Sequence, residues 1–84
     1  MMVLEGRREL LAAMKQFTLV RGETRRLPNS FNAIHVISGC AWVSYKGEDS
    51  ILIPGDTLSF TSDRDFPVVT AMGRVPLVFE VPER

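Results

Sequence analysis

Short runs of β-branched and aromatic residues alternate with glycine-bearing turns through the middle of the chain. Between residues 34 and 60 the turn signals are Ser38-Gly39, Lys46-Gly47 and Pro54-Gly55-Asp56. A turn every eight to ten residues or so is typical of an antiparallel sheet that curls into a sandwich or small barrel. The pattern predicts about eight strands, at residues 17–19, 24–27, 33–37, 40–45, 50–53, 57–60, 67–72 and 77–81.

The turns add detail to this all-β prediction. Ser38-Gly39 is short enough for a tight hairpin between strands 33–37 and 40–45. Glu48 and Asp49 are expected in a solvated turn after Lys46-Gly47. An up-and-down or jelly-roll closure would remove the exposed strand edges that invite aggregation.

The N-terminal segment has a helical period instead. Residues 3–15 predict a helix of about three turns with an apolar and a charged face, although Gly6 weakens it. The apolar face holds Leu4, Leu10, Leu11 and Met14, and the other holds Arg7, Arg8 and Glu9. So short a helix is marginal alone, so we expect it to dock on the barrel mouth or on a second subunit. Residues 1–84 are predicted to form one domain, with a β-barrel over 16–82.

Size and charge limit the function classes. A chain of 84 residues buries only about 60% of its unfolded surface, so we expect a homodimer or higher homo-oligomer. Ten basic residues balance ten acidic ones, which argues against nucleic-acid binding. The single cysteine, Cys40, excludes an internal disulfide. The chain offers no apolar run long enough to span a membrane and no signal-peptide core, so a cytoplasmic location without membrane contact is predicted.

The motif spacing resembles a known family. Ser38-Gly39, then Ala-Trp-Val-Ser at 41–44, then Ile-Leu-Ile-Pro-Gly-Asp at 51–56 is similar to the central part of the cupin superfamily. It looks most like short, uncharacterised cupin-like bacterial proteins that lack the metal-ligand histidines. The resemblance covers about residues 18–81 and implies a small jelly-roll-type antiparallel barrel or sandwich.

Metal-binding cupins use three histidines and a glutamate from two motifs, and this chain departs from both. With Gly39 closing the first motif, Asn32 takes the glutamate position. The histidine positions fall on Arg26 and Pro28, on Arg25 and Leu27 with the longer spacing, and on Phe66 in the second motif. The resemblance therefore implies a cupin-like barrel without metal or other cofactor, and the family's oxygenase and metal-isomerase chemistry is not carried over.

Two residues carry candidate chemistry. His35 lies mid-strand and points away from its neighbours Ile34 and Val36, either as a half-buried, hydrogen-bonded strand residue or as a pocket base. Cys40 is either a small buried hydrophobe or a nucleophile. Whether the two side chains meet across the Ser38-Gly39 hairpin is open at this point, and one such pair would not be a catalytic triad.

Four residues are candidates for ligand binding: Arg26, His35, Trp42 and Tyr45. Arg25 and Arg26 are adjacent in a strand, so one faces each side of the sheet. Either arginine is expected to reach solvent or pair with Glu23, and the sharper hypothesis is that the inward one, with Arg26 as the candidate, clamps a small anionic ligand at the barrel mouth. Trp42, Tyr45 and Phe60 would form an aromatic wall, although Phe60 and Trp42 are expected in the core.

These observations favour a non-catalytic cupin-like module that binds a small ligand or partner and assembles into an oligomer. The alternative is a metal-free isomerase, epimerase or lyase with His35 as its base. An enzyme needs a base and a stabilising group within reach of one substrate atom, and the sequence offers no evident companion for His35. A pure assembly role would leave the barrel filled with side chains.

Overall fold

The computed structural model describes residues 14–28, 31–61 and 64–82. These residues form eight strands. In chain order the strands are β1 (Met14–Leu19), β2 (Thr24–Arg26), β3 (Ala33–Ser38), β4 (Cys40–Tyr45), β5 (Glu48–Leu52), β6 (Thr57–Ser59), β7 (Val68–Met72) and β8 (Leu77–Pro82). The predicted all-β fold is confirmed. Within the three described ranges there is no helix with the length and hydropathy to cross a membrane.

The strands form two four-stranded sheets that pack face to face. Sheet A has the order β1-β8-β3-β6, and sheet B has the order β2-β7-β4-β5. All neighbours are antiparallel, and the pairs β1–β8, β2–β7, β3–β6 and β4–β5 nest around one another. This nesting is the jelly-roll arrangement, so the up-and-down alternative is excluded.

The predicted N-terminal helix is wrong at its C-terminal end. Met14 and Lys15 belong to β1, where they are in register with Pro82 and Val81. Pairing with the last strand outweighs the helical period here, because a helix of this length has little stability of its own. The rest of the predicted helix, residues 3–13, lies outside the described residues.

The predicted hairpin at Ser38-Gly39 is also wrong, because β3 and β4 belong to different sheets. Gly39 is the corner at which the chain crosses between the sheets. Its φ is +79°, and a Cβ at this position would lie 2.5 Å from the carbonyl oxygen of Pro76. Both the backbone angle and the close approach to the chain before β8 therefore require glycine.

A true two-residue hairpin joins β4 to β5. Lys46 and Gly47 both have positive φ, as a type I′ turn requires, and Tyr45 pairs directly with Glu48. Strand β5 therefore begins two residues earlier than predicted. Glu48 and Asp49, expected in the turn, belong to the sheet.

The space between the sheets is filled by apolar side chains. Strands β7 and β8 alternate strictly between buried and half-buried residues, so one face of each points inward. Phe79 is fully buried and stacks on Phe17 with ring centroids 5.3 Å apart, and Phe60 packs against Tyr45 at 4.9 Å. The core comprises Leu19, Leu27, Phe31, Ile34, Val36, Ala41, Val43, Leu52, Phe60, Val69, Ala71, Leu77, Phe79 and Val81.

Candidate functional site

The interior of the sandwich does not offer a polar site among the described residues. No buried side chain there is polar or charged, and no three histidine, cysteine, aspartate or glutamate residues cluster as metal ligands do. Leu27, which the cupin resemblance aligns with a histidine ligand, is a fully buried aliphatic side chain. The residues present therefore do not fit the metal of the family, which needs several converging N, S or O ligands.

The middle row of the outer face of sheet A is polar and carries His35. Strand register places Gln16, Glu80, His35 and Thr57 side by side across the four strands. The imidazole Nδ1 of His35 and the Oγ1 of Thr57 share a hydrogen bond of 2.8 Å. His35 is thus a half-buried strand residue bonded to its cross-strand neighbour, and it lies on an open sheet surface.

His35 and Cys40 do not meet. His35 lies on the outer face of sheet A, whereas Cys40 pairs with Met72 on the outer face of sheet B. An approach of the two side chains would need a hairpin between β3 and β4, and these strands belong to different sheets. Cys40 is half-buried rather than part of the core.

The outer face of sheet B carries the one tryptophan of the chain. Trp42 is 43% exposed and is flanked across the sheet by Ile51 and Thr70. Ile51 is 54% exposed. The expectation that Trp42 lies in the core is therefore wrong: its strand neighbours Ala41 and Val43 point inward, and the alternation of β4 turns the indole outward.

We call this surface the Trp42 face. Its residues, from the strand register, are Thr24, Arg26, Cys40, Trp42, Ser44, Asp49, Ile51, Val68, Thr70 and Met72.

A shallow cleft opens on the Trp42 face. It has a volume of about 300 Å³ and is lined by Trp42, Ser44, Asp49, Val68 and Thr70. The hydroxyl groups of Thr70 and Thr24 share a 3.0 Å hydrogen bond, which orients the polar margin of the cleft. The cleft thus combines a flat aromatic surface, two hydroxyl groups and one carboxylate.

The two arginines face opposite sides of sheet B, as expected, and the inward one is Arg25 and not the candidate Arg26. Arg25 is in register with buried Val69 and its guanidinium lies over the Phe17 ring at 5.0 Å, so Arg25 is on the inner side at the end of the sandwich. Arg26 is in register with Val68 on the outer face.

The guanidinium of Arg26 lies over the Phe66 ring at 4.1 Å. The two residues line a second depression together with Leu27 and Pro28. Arg26 therefore does not lie at the barrel mouth, where it would clamp an anionic ligand.

Tyr45 is separated from Trp42. It is half-buried, packs on Phe60, and lines a groove between the edges of the two sheets with Lys46 and Glu48 among others. Phe60 is a core residue, as predicted. The expected aromatic wall of Trp42, Tyr45 and Phe60 therefore does not form, because alternate positions of β4 face opposite sides of sheet B.

Most residues that surround Trp42 were not among the predicted site residues. Asp49, Ile51, Val68 and Thr70 come from β5 and β7, which flank β4 in sheet B. Two-residue spacing indicates that Trp42 and Ser44 lie on one face of their strand, and that Asp49 and Ile51 lie on one face of theirs. To place both pairs on one face of sheet B, the start of β5 and the order of the strands must also be known, and neither was predicted correctly.

Nested jelly-roll pairing and two short four-stranded sheets define this chain as a cupin-like β-sandwich. Solved structures with the same fold include a Cupin_2 domain of an XRE-family transcriptional regulator from Enterobacter cloacae. It is 21% identical with a TM-score of 0.66, and the match covers 88% of this chain and 81% of that domain. KdgF from Halomonas sp. is 18% identical with a TM-score of 0.62, covering 86% of this chain and 82% of that one.

A conserved protein of unknown function from Streptococcus pyogenes is 16% identical with a TM-score of 0.63, and the match covers 84% of this chain. This chain spans only 63% of the length of that protein. Several further matching structures are cupin proteins. No protein-family model matches the sequence, and no curated protein matches it. At these identities the similarity establishes the fold.

Proposed function

We propose that this protein is a non-catalytic cupin-like module that works without a metal and binds a partner through the Trp42 face. The carrying observation is the distribution of apolar side chains between the interior and the surface. The space between the sheets is occupied by apolar side chains, whereas aromatic and aliphatic side chains are exposed on the outside of sheet B. Large apolar side chains grouped on a surface mark interaction sites, and tryptophan is enriched where binding energy concentrates.

The composition of the Trp42 face supports binding rather than catalysis. Trp42 and Ile51 supply apolar area, and Ser44, Thr70 and Asp49 lie beside them with polar groups. Protein interfaces combine apolar contact area and hydrogen-bonding groups in this way. Catalysis would need a base and a stabilising group held around one substrate atom, and the cleft contains no histidine.

A metal-free enzyme with His35 as base is the second candidate. In its favour, the hydrogen bond to Thr57 fixes the ring, and Glu80 lies opposite on β8. Against it, none of the three depressions described above is lined by His35. General bases act on substrates held away from bulk water, so an open sheet face is a poor place for one.

The test combines sedimentation velocity with native mass spectrometry and metal analysis of the purified protein. We expect association, or a retained partner, that Trp42→Ser abolishes. Val20→Ser is the matched control, because Val20 is 60% exposed but lies in the turn after β1. A stoichiometric metal, or association that Trp42→Ser leaves unchanged, would overturn the proposal.

A further inference from the structure

The Trp42 face has a charge pattern that complements itself. Strand register defines one row across sheet B, from β5 to β2, that runs Asp49, Ser44, Val68, Arg26. The acidic and basic residues thus lie on the two edge strands of the same row, about 14 Å apart from the usual strand spacing. The midpoint between them falls between β4 and β7, which are the two central strands.

The next row is apolar on one side and carries hydroxyl groups on the other. It runs Ile51, Trp42, Thr70, Thr24 from β5 to β2. The bulky side chains lie on β5 and β4, and the two threonines, joined by their hydroxyl groups, lie on β7 and β2. In this row the side chains therefore project further from the sheet on β5 and β4 than on β7 and β2.

We propose that the partner on the Trp42 face is a second copy of this chain, related by a twofold axis that runs along the strands between β4 and β7. This inference rests on the proposed function. Such an axis exchanges β5 with β2 and β4 with β7 while it keeps each row opposite itself. An interface of this kind must be self-complementary, since every contact occurs twice.

The contacts that follow match in charge and shape. Asp49 of each copy faces Arg26 of the other, which gives two opposite-charge pairs at the two edges. Trp42 packs over Thr70 of the second copy, and Ile51 packs over Thr24. Each bulky residue therefore meets a small one, as interdigitating sheets about 10 Å apart require.

Sheet twist does not disturb this arrangement. Packed sheets are rotated by about 30°, which displaces the edge strands relative to each other by about 4 Å at 7 Å from the axis. An arginine side chain is long enough to cover that displacement. Arg26 also stacks on the Phe66 ring, so its guanidinium is partly ordered before the second copy binds.

The size of the face limits how much surface a dimer can bury, and small interfaces are typical of weak, reversible association. Four strands of about five residues cover an area about 17 Å by 19 Å. This is smaller than a standard interface, which buries about 800 Å² on each partner. We therefore expect a reversible dimer with a dissociation constant in the micromolar range.

The test is a charge-exchange series followed by sedimentation equilibrium at several concentrations. Asp49→Arg places two cations opposite each other at both edges, and Arg26→Asp places two anions there. Each single variant is expected to weaken the dimer at least about tenfold, and the double variant is expected to restore the wild-type dissociation constant to within about threefold. Asp49→Lys with Arg26→Glu repeats the design if a variant folds poorly.

Glu48→Arg is the matched control. It makes the same charge change one residue earlier on β5, where the side chain points away from the Trp42 face, and it should leave the dimer unchanged. If Trp42→Ser weakens the dimer but charge exchange gives no rescue, the twofold arrangement is wrong and the proposed function stands. The same conclusion follows from a monomer that retains another protein or a small molecule through Trp42. A monomer without any partner overturns both proposals.

Discussion

The outer faces of the two sheets differ although both face away from the same core. On sheet A the central row is Gln16, Glu80, His35 and Thr57, all polar. On sheet B the equivalent row contains Ile51 and Trp42, both exposed. A polar face is satisfied by water, whereas exposed tryptophan and isoleucine gain free energy when another surface covers them. This difference is why the proposed contact surface is the Trp42 face and not the outer face of sheet A.

The largest expected effect comes from the shared core that positions both faces. Phe79→Ala removes a fully buried ring stacked on Phe17 and should lower the free energy of unfolding by about 3–5 kcal/mol. Urea denaturation followed by circular dichroism measures this. Trp42→Ala, the matched removal of an aromatic ring from the outer face, should change the free energy of unfolding of the monomer far less. Equal losses would mean that Trp42 is part of the core.

The next effect comes from the corner that sends β3 and β4 to different sheets. Gly39→Ala puts a Cβ against the backbone of Pro76 and holds alanine at positive φ. Together these should lower the free energy of unfolding by at least about 2 kcal/mol. The measurement is again a denaturant midpoint. Gly22→Ala is the control, since it shares positive φ but has open space around its Cβ. Similar losses for both variants would show that the close approach at Gly39 has no energetic role.

Substitutions on the Trp42 face should act on association and spare the fold. We expect Trp42→Ser to weaken self-association at least about tenfold, since a central tryptophan acts as a hot spot. The unfolding free energy of the monomer should stay within about 0.5 kcal/mol, as for other surface changes. Sedimentation equilibrium and urea denaturation at a concentration that favours monomer separate the two effects. A large stability loss with unchanged association would reverse the assignment.

The smallest effect is expected on the outer face of sheet A. His35→Ala removes one half-exposed hydrogen bond to Thr57, which contributes about 1 kcal/mol or less. A double-mutant cycle with Thr57→Ala measures that coupling by urea denaturation. Self-association should be unaffected. Dissociation of the dimer by His35→Ala would place the contact surface on sheet A.

Alternation along the chain allowed much of the fold to be predicted. The runs around β3, β4, β7 and β8 were located within about a residue, because buried strands are bounded by turn signals and carry β-branched residues. Local patterns of this kind depend on a few neighbouring residues, so a single sequence contains them.

The candidate site was harder to predict, because it depends on which strands are neighbours in space. Ser38-Gly39 has the residues of a hairpin, but it is a corner because β3 and β4 pair with strands of different sheets. Trp42 follows the alternation of β4, but alternation alone does not say which face is outside. The burial of Ala41 and Val43 shows that the indole points outward. Asp49 and Arg26 lie in the same row only because of the register of β5 and β2 with the strands between them. The register between strands that are far apart in the sequence cannot be predicted from a local pattern.

The most direct test of the Trp42 face as the functional surface is the emission maximum of Trp42, measured from low to high micromolar protein concentration. Because the chain has one tryptophan, the signal reports this surface alone. The account predicts a shift to shorter wavelength as the dimer forms and the indole loses contact with water, with a midpoint that matches sedimentation. An emission maximum that stays constant while the protein associates would place the contact elsewhere and contradict the account.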